Sequence, residues 1–134
     1  MRYLLDTNII SDLIIDPEGR VMQKVRKAGE ARICTSIIVA AELRYGASKR
    51  ASARLTTIIE TILNRMDILP FESPADIVYG DVRTELEKSG LQIGANDLLI
   101  GAHALALGHT MITDNEREFA RIKGLRVENW RRQR

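Results

Sequence analysis

The sequence predicts an α/β fold in which helices sandwich a central parallel sheet. Two observations carry that prediction. Short apolar runs alternate with longer segments of helical spacing along the chain, the pattern of parallel strands joined by crossover helices. The length, 134 residues, suits one domain over residues 1–134 that can bury a sizeable core.

The elements follow in order. Residues 2–5 read as a short buried strand, and Asn8 to Ile15 as a helix stopped near Asp16 and Pro17. Val21, Met22 and Val25 give Glu18 to Ala28 a helical spacing, with Gly29 as its stop. Ala31 to Cys34 form a second strand. Thr35 or Ser36 caps the next helix, which carries Ile37, Ile38, Ala41, Glu42 and Tyr45, and Gly46 is expected to end or interrupt it. Ala51 to Met66 read as helix through Leu55, Ile58, Ile59, Ile62 and Leu63. Ile68 and Leu69 form a third strand before Pro70. Ser73 and Pro74 open a helix towards Lys88, with proline in its first turn. Gly94 to Leu107 form a helix whose Gly101, Ala102, Ala104 and Ala106 permit close packing, stopped at Gly108. Thr110 to Ile112 are a strand, Asn115 to Arg121 a short helix, and Leu125 to Val127 a last strand. In such sheets, ligand sites form at the carboxyl ends of the strands.

Composition narrows the function classes. Lys and Arg number 20 against 18 Asp and Glu, a net charge of +2 that permits a nucleic-acid partner without demanding one. Cys34 is the sole cysteine, which excludes an intrachain disulfide and a cysteine-based zinc site and fits a reducing cytosol. No apolar run is long enough to span a membrane, and no signal-peptide core follows Met1 and Arg2, so a cytoplasmic protein is expected. There is no internal repeat and no low-complexity segment.

The chemistry lies in the acids. Asp6 closes the first strand; Glu42 sits among Val39, Ala40, Ala41 and Leu43; Asp97 begins an almost wholly apolar helix; Asp114 closes a strand, with Glu118 one turn beyond. Taken singly, each has a plain structural reading. Asp6 could cap the following helix, and Asp97 could be a helix-start acid favoured by the macrodipole. Glu42 could lie at an amphipathic edge, and Glu118 could close a capping box with Asn115. Taken together those readings weaken, because the neighbouring sequence supplies no base to neutralise the acids. A buried carboxylate costs several kcal/mol unless something compensates it.

Oxygen donors without cysteine or paired histidine suit a hard cation, Mg²⁺ with Mn²⁺ as its substitute. Carboxylates that hold such an ion for use on a phosphate ester are the layout of metal nucleases. His103 and His109 are six residues apart, off the spacing of helical zinc pairs, and His103 reads as a packed residue. No glycine-rich phosphate loop and no Ser/His/Asp set is present.

Four stretches in order, "LLDTNIIS", "SIIVAAELRYGA", "IGANDLLIGAHALALG" and "ITDNEREFARIKGLRVENW", resemble the PIN-domain ribonucleases. The resemblance is to VapC-type toxins of type II toxin–antitoxin systems, in the branch that includes FitB-like proteins. It covers nearly the whole chain and is weakest over residues 50–90. It implies a PIN-domain α/β/α sandwich, Mg²⁺-dependent endoribonuclease activity and control by a VapB-type antitoxin. Carried over by position, it implies Asp6 as the first acid, with Thr7 and Asn8 as supporting polar residues. Glu42 is then the second acid and Asp97 the third. The fourth falls at Glu118 or at Asp114, beside Asn115.

In the implied mechanism Asp6 and Asp97 bind Mg²⁺ directly. Glu42 binds it or deprotonates the attacking water, and the products are a 5′-phosphate and a 3′-hydroxyl. Arg44, Lys49 and Arg50, with Arg54 beyond them and the basic tail of Arg131, Arg132 and Arg134, would hold the RNA, unless they are simply solvated. The branch adds tRNA, initiator tRNA included, as target. It also implies a homodimer, expected through the helix face near Leu55, Ile58 and Ile62, and operator DNA reached only through the antitoxin. Two other readings compete. One is a Mg²⁺-dependent small-molecule phosphatase, whose Asp-x-Asp pattern is missing where the chain has Asp6, Thr7 and Asn8. The other is a FitB-like partner that acts mainly inside a DNA-bound antitoxin complex.

Overall fold

Leu4, Leu5, Cys34, Met111 and Ile112 have no solvent exposure at all. Such strands carry no polar face to leave in water, so they fit only a parallel sheet covered on both sides by helices. The computed structural model describes residues 1–132 and has this arrangement. Its elements are β1 (Tyr3–Leu5), α1 (Thr7–Ile15), α2 (Arg20–Ala28), β2 (Ile33–Ser36), α3 (Ile37–Arg50), α4 (Ala53–Leu63) and β3 (Asp67–Leu69). They continue with α5 (Ala75–Lys88), α6 (Ala95–Leu107), β4 (Thr110–Ile112), α7 (Glu116–Phe119) and β5 (Val127–Glu128). The five strands are all parallel and lie in the order β3-β2-β1-β4-β5.

That order places the site. The chain winds outward from β1 through β2 to β3, then crosses back to lay β4 on the other side of β1. The reversal falls between β1 and β4, where Leu5 pairs with Ile112. Loops leaving the two carboxyl ends diverge there and open a crevice. Asp6 follows β1 and Thr113 follows β4, so both stand at its mouth. The small residues of α6 bring it close to the last part of the chain. A Cβ added at Gly101 would lie 2.3 Å from Ile122 Cδ1 and 3.2 Å from Phe119 Cδ1.

Several boundaries differ from expectation. β2 starts at Ile33, because Glu30–Arg32 are taken up by a 3₁₀ turn. α3 runs through Gly46 to Arg50, since Leu43 and Ala47 on either side are buried and hold that face against the core. The expected dimer face on α4 is largely used within the chain. Leu55 and Ile62 pack on the protein's own core, and Ile58 is half-buried. The large apolar side chains left most exposed are Ile15, Tyr45 and Ile77. Arg134 of the expected basic tail lies outside the described residues.

Candidate active site

Asp6 is 2% exposed, yet among the described residues no cation touches it. Its Oδ1 accepts the backbone N–H of Thr7 at 2.8 Å, so it caps α1. Its Oδ2 accepts the Thr113 hydroxyl at 2.6 Å and the Asn8 side-chain amide at 3.3 Å. All of these donors are neutral. The capping role and the buried acid are therefore one arrangement, in which the cap leaves the charge uncompensated.

The other acids reach the same crevice from separate elements. Glu42 on α3 accepts the Thr7 hydroxyl at 2.5 Å and the Asn96 amide at 3.1 Å. Asp97 in the first turn of α6 accepts the Asn115 amide at 3.0 Å, and that amide also donates to Glu118 at 2.5 Å. Asn115 thus ties α6 to α7. Its backbone N–H goes to the Thr113 hydroxyl at 2.9 Å, so Glu118 does not close a capping box on it. A cleft of about 420 Å³ is lined by Asp6, Thr7, Asn8, Glu42, Asp97 and Arg131, among others.

The charges act on one another. Burial, chiefly, raises the Asp6 carboxyl above its ordinary range; hydrogen bonds from Thr113 and Thr7 oppose this, and the charge on Glu42 adds to it. Burial also pushes Asp97 up to about 6, helped by the charges of Asp6, Glu118 and Glu42 and opposed by Asn115. Asp6, Glu42 and Asp97 meet only neutral donors among the described residues, so this part of the pocket is short of a cation. Among the described residues no three His, Cys, Asp or Glu side chains form a ready-made ion cage. A hydrated hard cation does not need one, because it keeps several waters and takes one or two carboxylates from the protein. The oxygen-only donor set fits such an ion, with Asp6 and Asp97 as the residues that could hold it.

The expectation that no base lies near the acids does not hold. Arg131 pairs with Asp12 on α1 at 3.2 Å and with Asp114 at 2.7 Å, and it lines the cleft. The sequence reading places Arg131 in a basic tail that holds RNA or is solvated, and it does not single out Asp12. The 119 positions that separate Asp12 from Arg131 give no local signal of that contact. Asp114 is exposed and turned to this side, and its other oxygen accepts from Asn129 at 3.0 Å. Its backbone N–H donates to Asn8 Oδ1 at 2.9 Å.

Of the expected RNA contacts, Arg44 is engaged by Glu60 through two hydrogen bonds of 2.9 and 3.0 Å. Lys49 and Arg50 are exposed at the end of α3, and Arg50 shares a groove with Thr7 and Glu42. His103 is buried; its Nδ1 lies 2.9 Å from the hydroxyl of Ser36, the cap of α3, and its ring meets Phe71 edge-on. Burial pushes the Cys34 thiol up to about 11, which leaves it inert.

A parallel sheet with acids gathered at its switch point is the architecture of a hydrolase with an α/β fold. The chain belongs to the PIN-domain family, whose profile matches residues 3–125. It is 41% identical over 132 residues to Ribonuclease VapC2 of Rickettsia felis, covering 97% of this chain and 98% of that protein. It is 34% identical over 131 residues to the tRNA(fMet)-specific endonuclease VapC of Salmonella typhimurium, again with 97% and 98% covered. The crystal structure of DNA-bound VapBC from Salmonella typhimurium superposes with a TM-score of 0.90 at 33% identity, covering 97% of this chain and 98% of that one. No helix among the described residues is long and apolar enough to cross a membrane.

Proposed function

We propose that this chain is the toxin ribonuclease of a type II toxin–antitoxin pair, an endoribonuclease that hydrolyses RNA phosphodiester bonds with Mg²⁺ as cofactor and tRNA as target. One observation carries the reading. Asp6, Glu42, Asp97 and Glu118 come from four separated segments and are linked only through neutral donors, chiefly Thr7, Thr113, Asn8, Asn96 and Asn115. Arg131, the base that lines the cleft, is taken up by Asp12 and Asp114, so these four acids are left without a cation among the described residues, an arrangement suited to a metal ion and an anionic substrate.

Asp6 and Asp97 would hold the ion. When bound, Mg²⁺ neutralises charge on the phosphate and makes a water molecule more acidic. Glu42 accepts the proton of the attacking water; Thr7 and Asn96 fix the direction of its two oxygens. The water oxygen bonds to phosphorus as the bond to the 3′-oxygen breaks in line. That oxygen takes up a proton, leaving a 3′-hydroxyl and a 5′-phosphate. Thr7, Asn8 and Asn115 keep the carboxylates in place. The partners in this reading are a VapB-type antitoxin, which alone reaches operator DNA, and a second copy of the chain; the setting is the cytoplasm, and the single domain spans residues 1–134.

The test is cleavage of purified tRNA by the purified chain. Cleavage is expected with Mg²⁺ or Mn²⁺, is expected to stop with EDTA, and should leave 5′-phosphate ends. If no RNA is cut under any divalent ion, the chain acts as a passive partner in an antitoxin–DNA complex. Protons also compete with the ion for Asp97, whose carboxyl titrates near 6. Mn²⁺ affinity, followed by paramagnetic resonance, should therefore weaken as the pH falls from about 7 to about 5. An affinity that stays flat across that range would remove Asp97 from the ion's ligands.

A further inference from the structure

We infer that the basic groove between α2 and the segment that follows β5 binds the phosphate backbone of the RNA substrate outside the scissile bond. This rests on the nuclease reading above and adds a second contact region to it. The groove encloses about 510 Å³, and its lining includes Arg20, Gln23, Lys24, Lys27, Trp130 and Arg132. Its one acid, Glu128, is held by the Trp130 indole N–H at 3.0 Å.

The helix explains how the cations align. Val21 is buried, and Met22 and Val25 pack on the core, so that side of α2 is fixed inward. Arg20, Lys24 and Lys27 fall on the opposite side at helical spacing, and all three are exposed. Among the described residues none of the three forms an ion pair. Elsewhere on the surface Arg26, Arg44, Arg65 and Arg83 each have a carboxylate partner. Unpaired cations crowded on one groove wall repel each other, and a bound polyanion relieves that repulsion. From Arg20 to Lys27 the helix rises about 10 Å, which matches about three phosphates of a stacked strand.

The groove also leads to the acids. The Arg20 guanidinium reaches the Arg131 carbonyl oxygen at 3.5 Å, while the Arg131 side chain turns the other way to Asp12 and Asp114 at the acid cleft. Residues 130–132 are therefore a narrow partition with cations on one side and carboxylates on the other. A strand whose scissile phosphate sits at Asp6 and Asp97 has only to cross Arg131 to lay its next phosphates along α2.

The test compares a long with a short RNA. The triple variant Arg20→Glu, Lys24→Glu, Lys27→Glu is made beside the milder triple change to Gln, and melting curves check both folds. Affinity for fluorescein-labelled tRNA is measured in EDTA over a range of salt, and Mg²⁺-dependent cleavage is measured on tRNA and on a tetranucleotide. In the Glu variant tRNA affinity and kcat/KM should fall on the order of tenfold or more, and the slope of log affinity against log salt should flatten by about 2–3. Tetranucleotide cleavage should not change, because that substrate does not reach α2. The Gln variant should show the same pattern to a smaller extent. Unchanged tRNA affinity and salt slope would overturn the proposal, as would an equal loss on both substrates. If the parent chain binds tRNA through the groove and cuts no RNA, the groove stands and the nuclease reading falls. If poly-glutamate binds the parent chain more tightly than tRNA and the variants lose it, the groove serves an acidic protein segment instead.

Discussion

Asp97→Asn is expected to abolish RNA cleavage while making the metal-free protein more stable at neutral pH. Two effects act in opposite directions. Loss of this carboxylate weakens the hold on the ion, and the ion's stabilisation of the reacting phosphate is worth several kcal/mol, on the order of 10³-fold in rate. In the metal-free protein the same carboxylate is a burden, because burial and the charges of Asp6, Glu118 and Glu42 hold its pKa at about 6. The folded chain therefore binds the Asp97 proton more tightly than the unfolded chain, whose carboxyl titrates near the ordinary 3.8. The penalty on folding is fully present above pH 6, shrinks as the pH falls towards 3.8, and is absent below that. After screening by water in the cleft it amounts to about 1–2 kcal/mol, or a few degrees in melting temperature.

The amide is a clean replacement at this position, since its oxygen still accepts from Asn115. Asp6→Asn should abolish cleavage as well but gain less stability. Its new NH₂ would face the Asn8 amide, which now donates to the carboxylate. The measurements are Mg²⁺-dependent RNA cleavage and melting curves in EDTA, at about pH 7.5 and about pH 4. Full activity in either variant rules out the site. A stability gain of equal size at both pH values would mean that the Asp97 charge is not what the fold resists.

How much of this was legible can be argued residue by residue. Asp6, Glu42 and Asp97 stood out because each sits in an apolar run, and an acid in such a run must be answered by something in three dimensions. The parallel sheet was legible because short apolar runs alternate with segments of helical spacing. What answers each acid was not legible. Thr113 and Asn115 read as capping residues at a strand end and a helix start, and their bonds to Asp6, Asp97 and Glu118 exist only because β4 is laid against β1. The strand order has no local signature, so neither does a contact that depends on it. Asp12 gives no signal because a helical acid is ordinary, and Arg131 reads only as part of a basic tail, not as the partner of Asp12 and Asp114. The cations of α2 carry no signal of their own in the sequence; they acquire meaning only beside the segment after β5. Gly46 misled because glycine is a weak helix former, and tertiary packing of Leu43 and Ala47 outweighs the roughly 1 kcal/mol it costs there.

Glu118 rather than Asp114 is the expected fourth acid, because of which way each candidate is already pulled. Asp114 is exposed, and both of its oxygens are engaged, one by Asn129 and one by Arg131. Its charge is balanced and its carboxylate is turned towards the C-terminal segment. Glu118 has no cation partner among the described residues. It shares the Asn115 amide with Asp97, and its charge is one of those that raise the Asp97 pKa. The alternative task for Glu118, capping the Asn115 backbone, is already filled by the Thr113 hydroxyl. Glu118→Gln should therefore lower turnover more than Asp114→Asn, with both effects milder than the loss of Asp6. A side chain that orients water or takes its proton is typically worth roughly 10² to 10⁴ in rate. Loss of a surface charge pair such as Asp114 with Arg131 costs about 1 kcal/mol or less, within about fivefold. Single-turnover RNA cleavage at saturating Mg²⁺, with melting curves alongside, separates the two. If Glu118→Gln melts lower but cuts at the parent rate, the residue only braces Asn115 and α7, and the fourth acid is not Glu118.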